Sequence, residues 1–551
     1  MRLSPSRAAL ATALVLAPIL LAPAIFGNMP LAMVDEEVFV RTALAALAQH
    51  TLPGFADAGA GFQAPYGAVL TYALYLVLAP LYVLASFATG AERDAGLLLA
   101  ARAGDIIQIA RWIDGAALLA FFATLAYAAA AEVRLRRSFV LLALLLLGNT
   151  LLLSLAHTGK MWLLQTLFEL CAGTLVIARE ALGSASRVRL LTEWYLPALI
   201  LCTLLAVSQS FMGALAALWI AYAVFLGHVS LRQAGVMLIR FVPLGMLFAL
   251  LQYSFIMSGW HISRDAAAGF THVTGAGVAP LSERVFPPLI STLAIAPAAV
   301  LAWLVSLAAG LATADRRRLA VALVHPLVIY CVYFLIAGFG TSLRYLGPLT
   351  AALALASGLL TLGQPRVGHV LVALALPFAL FSSIFVGWLW WQPSSETAIR
   401  DLLFAPGIYA ARGTTLYIEA PQLFPLARLS DFNNEATLRS ALSHEGADRA
   451  VYQVAWRDIV LSRAFMDSGR TSAARFVSVL DRTLPASRDA RSFQVTDDCH
   501  LHCREDELAR GTCVAINAAL CDGSDEHGNL LSFPDLLRVS QLGHAYFVRA
   551  L

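Results

Sequence analysis

Charge is scarce in this chain. Asp, Glu, Lys and Arg together supply 13% of its 551 residues, about half of the roughly 25% usual in soluble proteins. So little charge cannot cover several water-exposed domains, which excludes a soluble enzyme and a disordered chain. Lysine is almost missing: Lys160 is the sole lysine among 38 Lys and Arg residues. The net charge of +3 offers no electrostatic footprint for nucleic acid. HExxH, P-loop, GxSxG and Rossmann signatures are absent from any credible setting, which removes support for a nucleotide-dependent cytoplasmic reaction. No internal repeat of the kind built into many secondary transporters is visible.

What is present is apolar. Hydrophobic residues make up 59% of the sequence, in blocks several of which exceed the roughly 18 residues needed to cross a hydrocarbon core. The expected fold is a polytopic α-helical membrane protein with about 11–13 spans. Crossings are expected at 8–27, 113–131, 139–155, 161–178, 195–209, 211–228, 233–257, 287–309, 320–338, 345–363 and 368–389. Residues 1–390 form the membrane domain, and 391–551, of ordinary soluble composition, form a second domain. The basic segment from Arg2 to Arg7, with its apolar run and Ala22-Pro23-Ala24, has the look of a signal peptide but is read as an uncleaved first helix.

Basic loops set the orientation. Arg134, Arg136 and Arg137, then Arg187 and Arg189, then Arg316, Arg317 and Arg318 fall between spans, and the positive-inside rule places all three clusters in the cytoplasm. Loop 28–112 is then outside. A single crossing by the apolar block 66–88 would invert every later loop, so that block is expected to dip in and out, to lie near the interface, or to pair with a second crossing at 95–110. The C-terminal domain follows on the outside.

Cys171, Cys202 and Cys331 fall in expected spans, as small hydrophobes. Cys499, Cys503, Cys513 and Cys521 cluster in the soluble domain, as two disulfides in an oxidising compartment or, with His500 and His502 among them, as a zinc site. A strand at 414–420, a helix at 435–442 and a strand at 450–456 suggest a small extracytoplasmic α/β domain serving as a lid, docking or acceptor-recognition module.

Three segments could carry chemistry. Asp35, Glu36 and Glu37 follow the first span. They form either a solvated edge and acidic cap for a helix at 38–49, or a general base or metal ligand in an outward cavity. Arg344 and Tyr345 open a late span, as an interfacial anchor or as a bidentate phosphate clamp. His157 and Lys160 sit in an outside hairpin, as an ordinary polar turn or as part of an anion site sharing a face with Asp35 and Arg344. Tyr66, Arg111 and His261 are read first as structural and second as substrate contacts, together with Gln209, Arg264 and His272. His325, inside a span, is read as a hydrogen-bonded core residue.

Taken in order, these segments resemble the GT-C class of integral-membrane glycosyltransferases, in particular the bacterial branch of protein O-mannosyltransferases and aminoarabinose transferases. The resemblance runs over about 8–390. It rests on Asp35-Glu36 after the first helix, on Phe62 to Ala68 with Pro65 and Tyr66, and on Arg111 to Ala117 at a helix start. It continues through Ser154 to Trp162, Val207 to Ser210 and Arg344 to Leu349. The chain departs from the family pattern at His157, where relatives carry arginine, and at Val207 to Ser210, where a threonine–lysine pair is missing.

The resemblance implies a polyprenyl-phosphate-linked sugar as donor, an extracytoplasmic lipid, glycan or protein as acceptor, and inversion at the sugar. Asp35 would be the catalytic base, supported by Glu36 and with room for a divalent metal (Mg or Mn) at Asp35. Arg344 would hold the carrier phosphate, assisted by Lys160 and His157. The setting would be a bacterial inner membrane, with a periplasmic C-terminal domain in a monomer or weak oligomer. Two other classes compete: a secondary transporter of an anionic or lipid-linked substrate, and an envelope enzyme transferring a non-sugar group.

Overall fold

The computed structural model describes residues 4–22, 39–55 without 41, 44, 45 and 48, 68–89, 103–159, 161–183, 188–209, 215–253, 256–257, 281–313, 315–336 and 343–391. In the C-terminal region it describes 414–418, 474–478, 492–496, 503–510, 513–516 and 546–550. The membrane region contains α1 (Pro5–Leu20), α2 (Val69–Thr89), α3 (Ala103–Ala131), α4 (Val133–Leu147), α5 (Thr150–Leu155), α6 (Met161–Leu182) and α7 (Arg189–Thr192). These are followed by α8 (Tyr195–Gln209), α9 (Leu218–Phe225), α10 (Leu231–Leu251), α11 (Leu281–Ile295), α12 (Pro297–Thr313), α13 (Arg316–Tyr330), α14 (Gly347–Leu360) and α15 (Pro365–Trp391). Among the described residues five helices are long and apolar enough to cross a membrane, and six if α11 and α12, bent by 102° at Ala296, count as one span. The chain is a polytopic helical membrane protein.

Several expected crossings are shorter than hydropathy suggested. Helices α1, α8 and α14 have 16, 15 and 14 residues, and 14 residues reach only about 21 Å at the helical rise, against a core of about 30 Å. Every residue of α14 is buried, so protein rather than lipid surrounds it and no interface fixes its length. A hydropathy window cannot tell these two apolar surroundings apart.

Four expectations on helix boundaries are corrected. Block 66–88 does not dip in and out: α2 runs unbroken, with Pro80 inside it and no glycine on which to turn. The second confident span starts at Ala103, not at 113, so Arg111 lies within α3 rather than ahead of it; of the possible crossing at 95–110, residues 103–110 belong to α3 and 95–102 lie outside the described residues. Arg111 and Asp114, three residues apart on one face, are both fully buried. The expected span 139–155 is two helices, broken at Gly148-Asn149.

That break is well supplied with partners. Asn149 caps α5 by accepting from Leu152 N at 3.1 Å, and its Nδ2 donates to Thr350 Oγ1 at 2.7 Å. Ser382 Oγ donates to the Gly148 carbonyl at 3.2 Å, and Thr150 Oγ1 to the Ile295 carbonyl at 3.3 Å. Interrupted backbone inside a membrane protein persists only where such partners satisfy it. Pro326 in α13 shows the same logic. Its missing N–H frees the Ala322 carbonyl one turn earlier, and Trp303 Nε1 on α12 donates to that oxygen at 3.0 Å. The helix continues as a π turn at Cys331–Ile336, which buries Tyr333 and Phe334.

Helices α6 and α14 form the centre of the bundle, flanked by α3, α4, α8 and α13. Large apolar side chains are exposed along α2, α10, α11 and α15, among them Leu84, Ile239, Met246, Phe286 and Ile384, as suits surfaces facing lipid tails. In the C-terminal region β1 (Thr414–Ile418), β2 (Ala474–Ser478), β3 (Ser492–Thr496), β4 (Cys513–Ile516) and β5 (Tyr546–Ala550) form one sheet in the order β2-β1-β3-β5-β4. The pairs β1/β2 and β1/β3 are parallel; β3/β5 and β4/β5 are antiparallel. Parallel neighbours require long crossovers, as an α/β unit does. The expected strand at 414–420 is β1, whereas 435–442 and 450–456 lie outside the described residues. Cys503 and Cys513 form a disulfide that joins the segment before α16 (Glu505–Ala509) to β4. Cys499 and Cys521 lie outside the described residues, and Cys171, Cys202 and Cys331 are free thiols.

Candidate functional site

The two ends of the bundle differ in chemistry. At one end the basic helix termini are tied together. Arg137 Nε on α4 donates to His369 Nε2 on α15 at 3.1 Å, and Arg318 on α13 reaches Glu180 on α6 at 2.6 Å and the Leu362 carbonyl at 3.4 Å. Glu180 also meets His228 Nε2 at 2.5 Å, and His228 Nδ1 lies 3.0 Å from the Tyr195 hydroxyl. Arg179 donates to the Leu191 carbonyl at 2.6 Å and stacks over the Tyr195 ring. The Arg134–Arg137, Arg189 and Arg316–Arg318 clusters therefore belong to a single end of the molecule.

At the opposite end, segments far apart in sequence converge. The α5–α6 turn brings His157 and Thr158 fully inside, and Gly159 takes φ +51°, a left-handed value that glycine adopts without strain. His157 meets Arg111 of α3 and the backbone at Ile19 of α1. Burial lowers its pKa to about 3; the nearby Arg111 charge works in the same direction, and the Ile19 backbone works against it. His157 is therefore neutral at physiological pH and supplies no cation. Beside this turn the rings of Trp162 and Tyr345 meet edge to face, 4.8 Å apart. Gly347 lets α14 approach α6 so closely that a Cβ there would lie 2.9 Å from Thr166 Oγ1. The α1 terminus belongs to the same end, since a Cβ on Gly115 of α3 would lie 2.2 Å from the Leu20 carbonyl.

Of the residues singled out in the sequence, Arg111, His157 and Tyr345 are thus placed at one end of the bundle. The Arg344 backbone lies in the 3-10 turn Leu343–Leu346, but its side chain is outside the described residues. Asp35, Glu36, Tyr66, Lys160, His261, Arg264 and His272 also lie outside them, as do the expected cap at 35–37 and any metal at Asp35. Gln209 is buried at the end of α8. Downstream of the acidic segment, helical positions Phe39, Val40, Ala43, Ala46 and Leu47 are buried at spacings of one helix face. Among the described residues no group of three His, Cys, Asp or Glu is arranged to hold a metal.

Four polar groups inside the bundle escaped sequence reasoning. Asp114 lies one turn beyond Arg111. On α6, Gln165 bonds the Tyr333 hydroxyl, and Glu169 Oε1 lies 3.1 Å from His325 Nε2, with the Trp219 and Tyr222 rings packed on the imidazole. His325 is the hydrogen-bonded core histidine expected. Glu180 extends the same side of α6 to the basic end. A signal was available for Glu169: an ionisable residue within an apolar span is a functional candidate by default, and Glu169 lies within the expected span 161–178, whereas Glu180 lies just beyond it. No family model, characterised protein or solved structure matches this chain, so the reading of its site rests on geometry and residue chemistry.

Proposed function

We propose that the chain is a GT-C-type glycosyltransferase of a bacterial inner membrane, transferring a sugar from a polyprenyl-phosphate carrier to an extracytoplasmic acceptor. The observation that carries the reading is the meeting of Trp162 with Tyr345 at the end of the bundle away from the basic loops. It joins the Ser154–Trp162 and Arg344–Leu349 segments, the two polar segments expected to handle an anionic carrier. Arg111 and the end of α1, from which the chain continues to Asp35, belong to that same end. By the positive-inside rule this end is periplasmic.

In the proposed reaction an acceptor hydroxyl attacks the anomeric carbon from the face opposite the carrier. The new C–O bond forms as the bond to the phosphate oxygen breaks, inverting the centre. Asp35 takes the hydroxyl proton, and the polyprenyl phosphate leaves with the electron pair, its charge held by Arg344 and Lys160. Glu36 supports Asp35. His157, neutral and enclosed beside Arg111, shapes the chamber. The C-terminal α/β region, with its disulfide, would confine the acceptor on the periplasmic side.

The test uses single-cysteine variants in a background lacking the native thiols. Asp35→Cys and Arg344→Cys should react with a membrane-impermeant maleimide from the periplasm, and Arg137→Cys only after lysis. Labelling of positions 35 and 344 from opposite faces would end the proposal. In reconstituted protein, Asp35→Asn should abolish sugar transfer, and Arg344→Ala should weaken donor binding more than Arg344→Lys.

A second reading has its own observation. Glu169 and His325 form a buried ionisable pair well inside the bundle, where a proton-coupled carrier of an anionic substrate would keep one. Substrate-driven proton uptake into proteoliposomes, lost in Glu169→Gln, would favour the carrier; sugar transfer without proton movement would favour the transferase.

A further inference from the structure

The basic end contains a groove that the proposed transfer reaction does not use. It has a volume of about 520 Å³ and lies between α10 and the adjoining ends of α6 and α8. Arg179, Arg232 and Arg240 supply its positive charge, His228 and Tyr195 form part of its wall, and Glu193 is the carboxylate on its lining. Glu180, behind His228, is already shared between His228 and Arg318. Val236, Met237 and Leu196 make the rest of the lining apolar. A groove with cations at its mouth and hydrocarbon along its side matches an amphiphile with an anionic head.

Arg240 sharpens the reading. It lies eight residues beyond Arg232, about 12 Å further along a straight helix, and both arginines are exposed. Helix α10 is one of the five long apolar spans, and of its 21 residues only Ala234 is buried. Neither Arg232 nor Arg240 has a hydrogen bond or ion pair among the described residues. An arginine held this deep on a lipid-facing helix is costly unless it snorkels to the interface or meets an anion. The two-turn spacing places Arg232 at the rim and Arg240 below it on one side of α10, and the Arg179 guanidinium is fixed across the groove by the Leu191 carbonyl and the Tyr195 ring.

We propose that this groove is a phosphate-anion site that takes the head group of an anionic membrane phospholipid in the leaflet at the basic end, Arg232 and Arg240 binding the phosphate while the acyl chains follow α10. The site is independent of the transfer reaction, since it lies at the other end of the bundle.

The full chain, purified in a zwitterionic detergent, is titrated with dioleoylphosphatidylglycerol or dioleoylphosphatidylcholine, and retained lipid is counted by native mass spectrometry. Phosphatidylglycerol should be retained in preference to phosphatidylcholine, whose choline would meet the arginines. Arg232→Gln and Arg240→Gln should each weaken retention on the order of tenfold, as expected for loss of a charge-assisted contact to phosphate. Arg240→Lys should keep much of it, and Arg366→Gln, an exposed arginine outside the groove, all of it. Displacement of the lipid by inorganic phosphate in wild type but not in the variants would support the anion site and assign it to a soluble ligand; resistance to displacement supports the lipid. Equal retention of both lipids, or unchanged phosphatidylglycerol binding in a monodisperse Arg240→Gln protein, would overturn the proposal.

Discussion

His325 Nε2 and Glu169 Oε1 face each other at 3.1 Å between α13 and α6, both almost completely shielded from the surroundings, with the Trp219 and Tyr222 rings closing over the imidazole. Removing one partner of such a pair leaves the other buried without its counterpart, which costs about 3–5 kcal/mol, whereas replacing both with apolar residues of similar size is often neutral. Glu169→Leu and His325→Leu should therefore each lower the detergent-solubilised melting temperature sharply, and the double variant should recover most of the loss. Additive losses in the double-mutant cycle would show that the two residues act separately.

His157 makes folding sensitive to acid. Its folded pKa of about 3 lies below the ordinary value of 6.5, so between these values the unfolded chain binds a proton that the folded chain does not. Its contribution is complete above pH 6.5 and is lost as the pH falls toward 3, by at most about 1.4 kcal/mol per pH unit. Thermal melts at about pH 7.5 and pH 5 should show a smaller acid-induced drop in His157→Gln than in wild type. The same drop in both proteins would remove His157 as the cause.

Trp303 and Pro326 are coupled through the Ala322 carbonyl. Trp303→Phe leaves that buried acceptor unpaired, a loss of about 1–3 kcal/mol. Pro326→Ala restores an amide that can serve the same oxygen along the helix. The double variant should therefore lose less stability than the sum of the single variants, as read from melting temperatures. Simple additivity would mean that the carbonyl finds another partner.

The Cys503–Cys513 disulfide closes a short loop, so the chain-entropy contribution is about 3 kcal/mol at most. Unreduced proteolysis should yield a cross-linked peptide pair that separates on reduction. Cys503→Ser should make the C-terminal region more susceptible to limited proteolysis while leaving the apolar bundle monodisperse. Free thiols at both positions in protein secreted through an oxidising compartment would contradict the linkage.

The membrane class was legible because it depends on summed composition: 13% charge and 59% hydrophobic residues leave no soluble alternative. The shared end of the basic clusters was also legible, since Arg134–Arg137 and Arg316–Arg318 alternate with apolar blocks. Helix ends were less so. Arg111 suggested a boundary because charge normally marks an interface, but packing encloses it, together with Asp114, within α3. Gly148-Asn149 looked continuous with its apolar neighbours, since the partners that stabilise the break, Thr350 and Ser382, are about two hundred residues away. Glu169 drew no reading from the sequence, since its partner His325 lies 156 residues away.

Composition and the spacing of charge determined by themselves that this chain enters a membrane many times and that its basic loop clusters share one end, because transfer from water to hydrocarbon is set by each segment's own side chains. Only the tertiary structure decided which polar residues meet: Glu169 with His325, Arg111 with His157, Trp162 with Tyr345, and Arg232 and Arg240 with the groove beside Arg179. Those meetings depend on helix rotation and on close approaches such as that at Gly347, which follow from three-dimensional packing and leave no periodic trace in the chain.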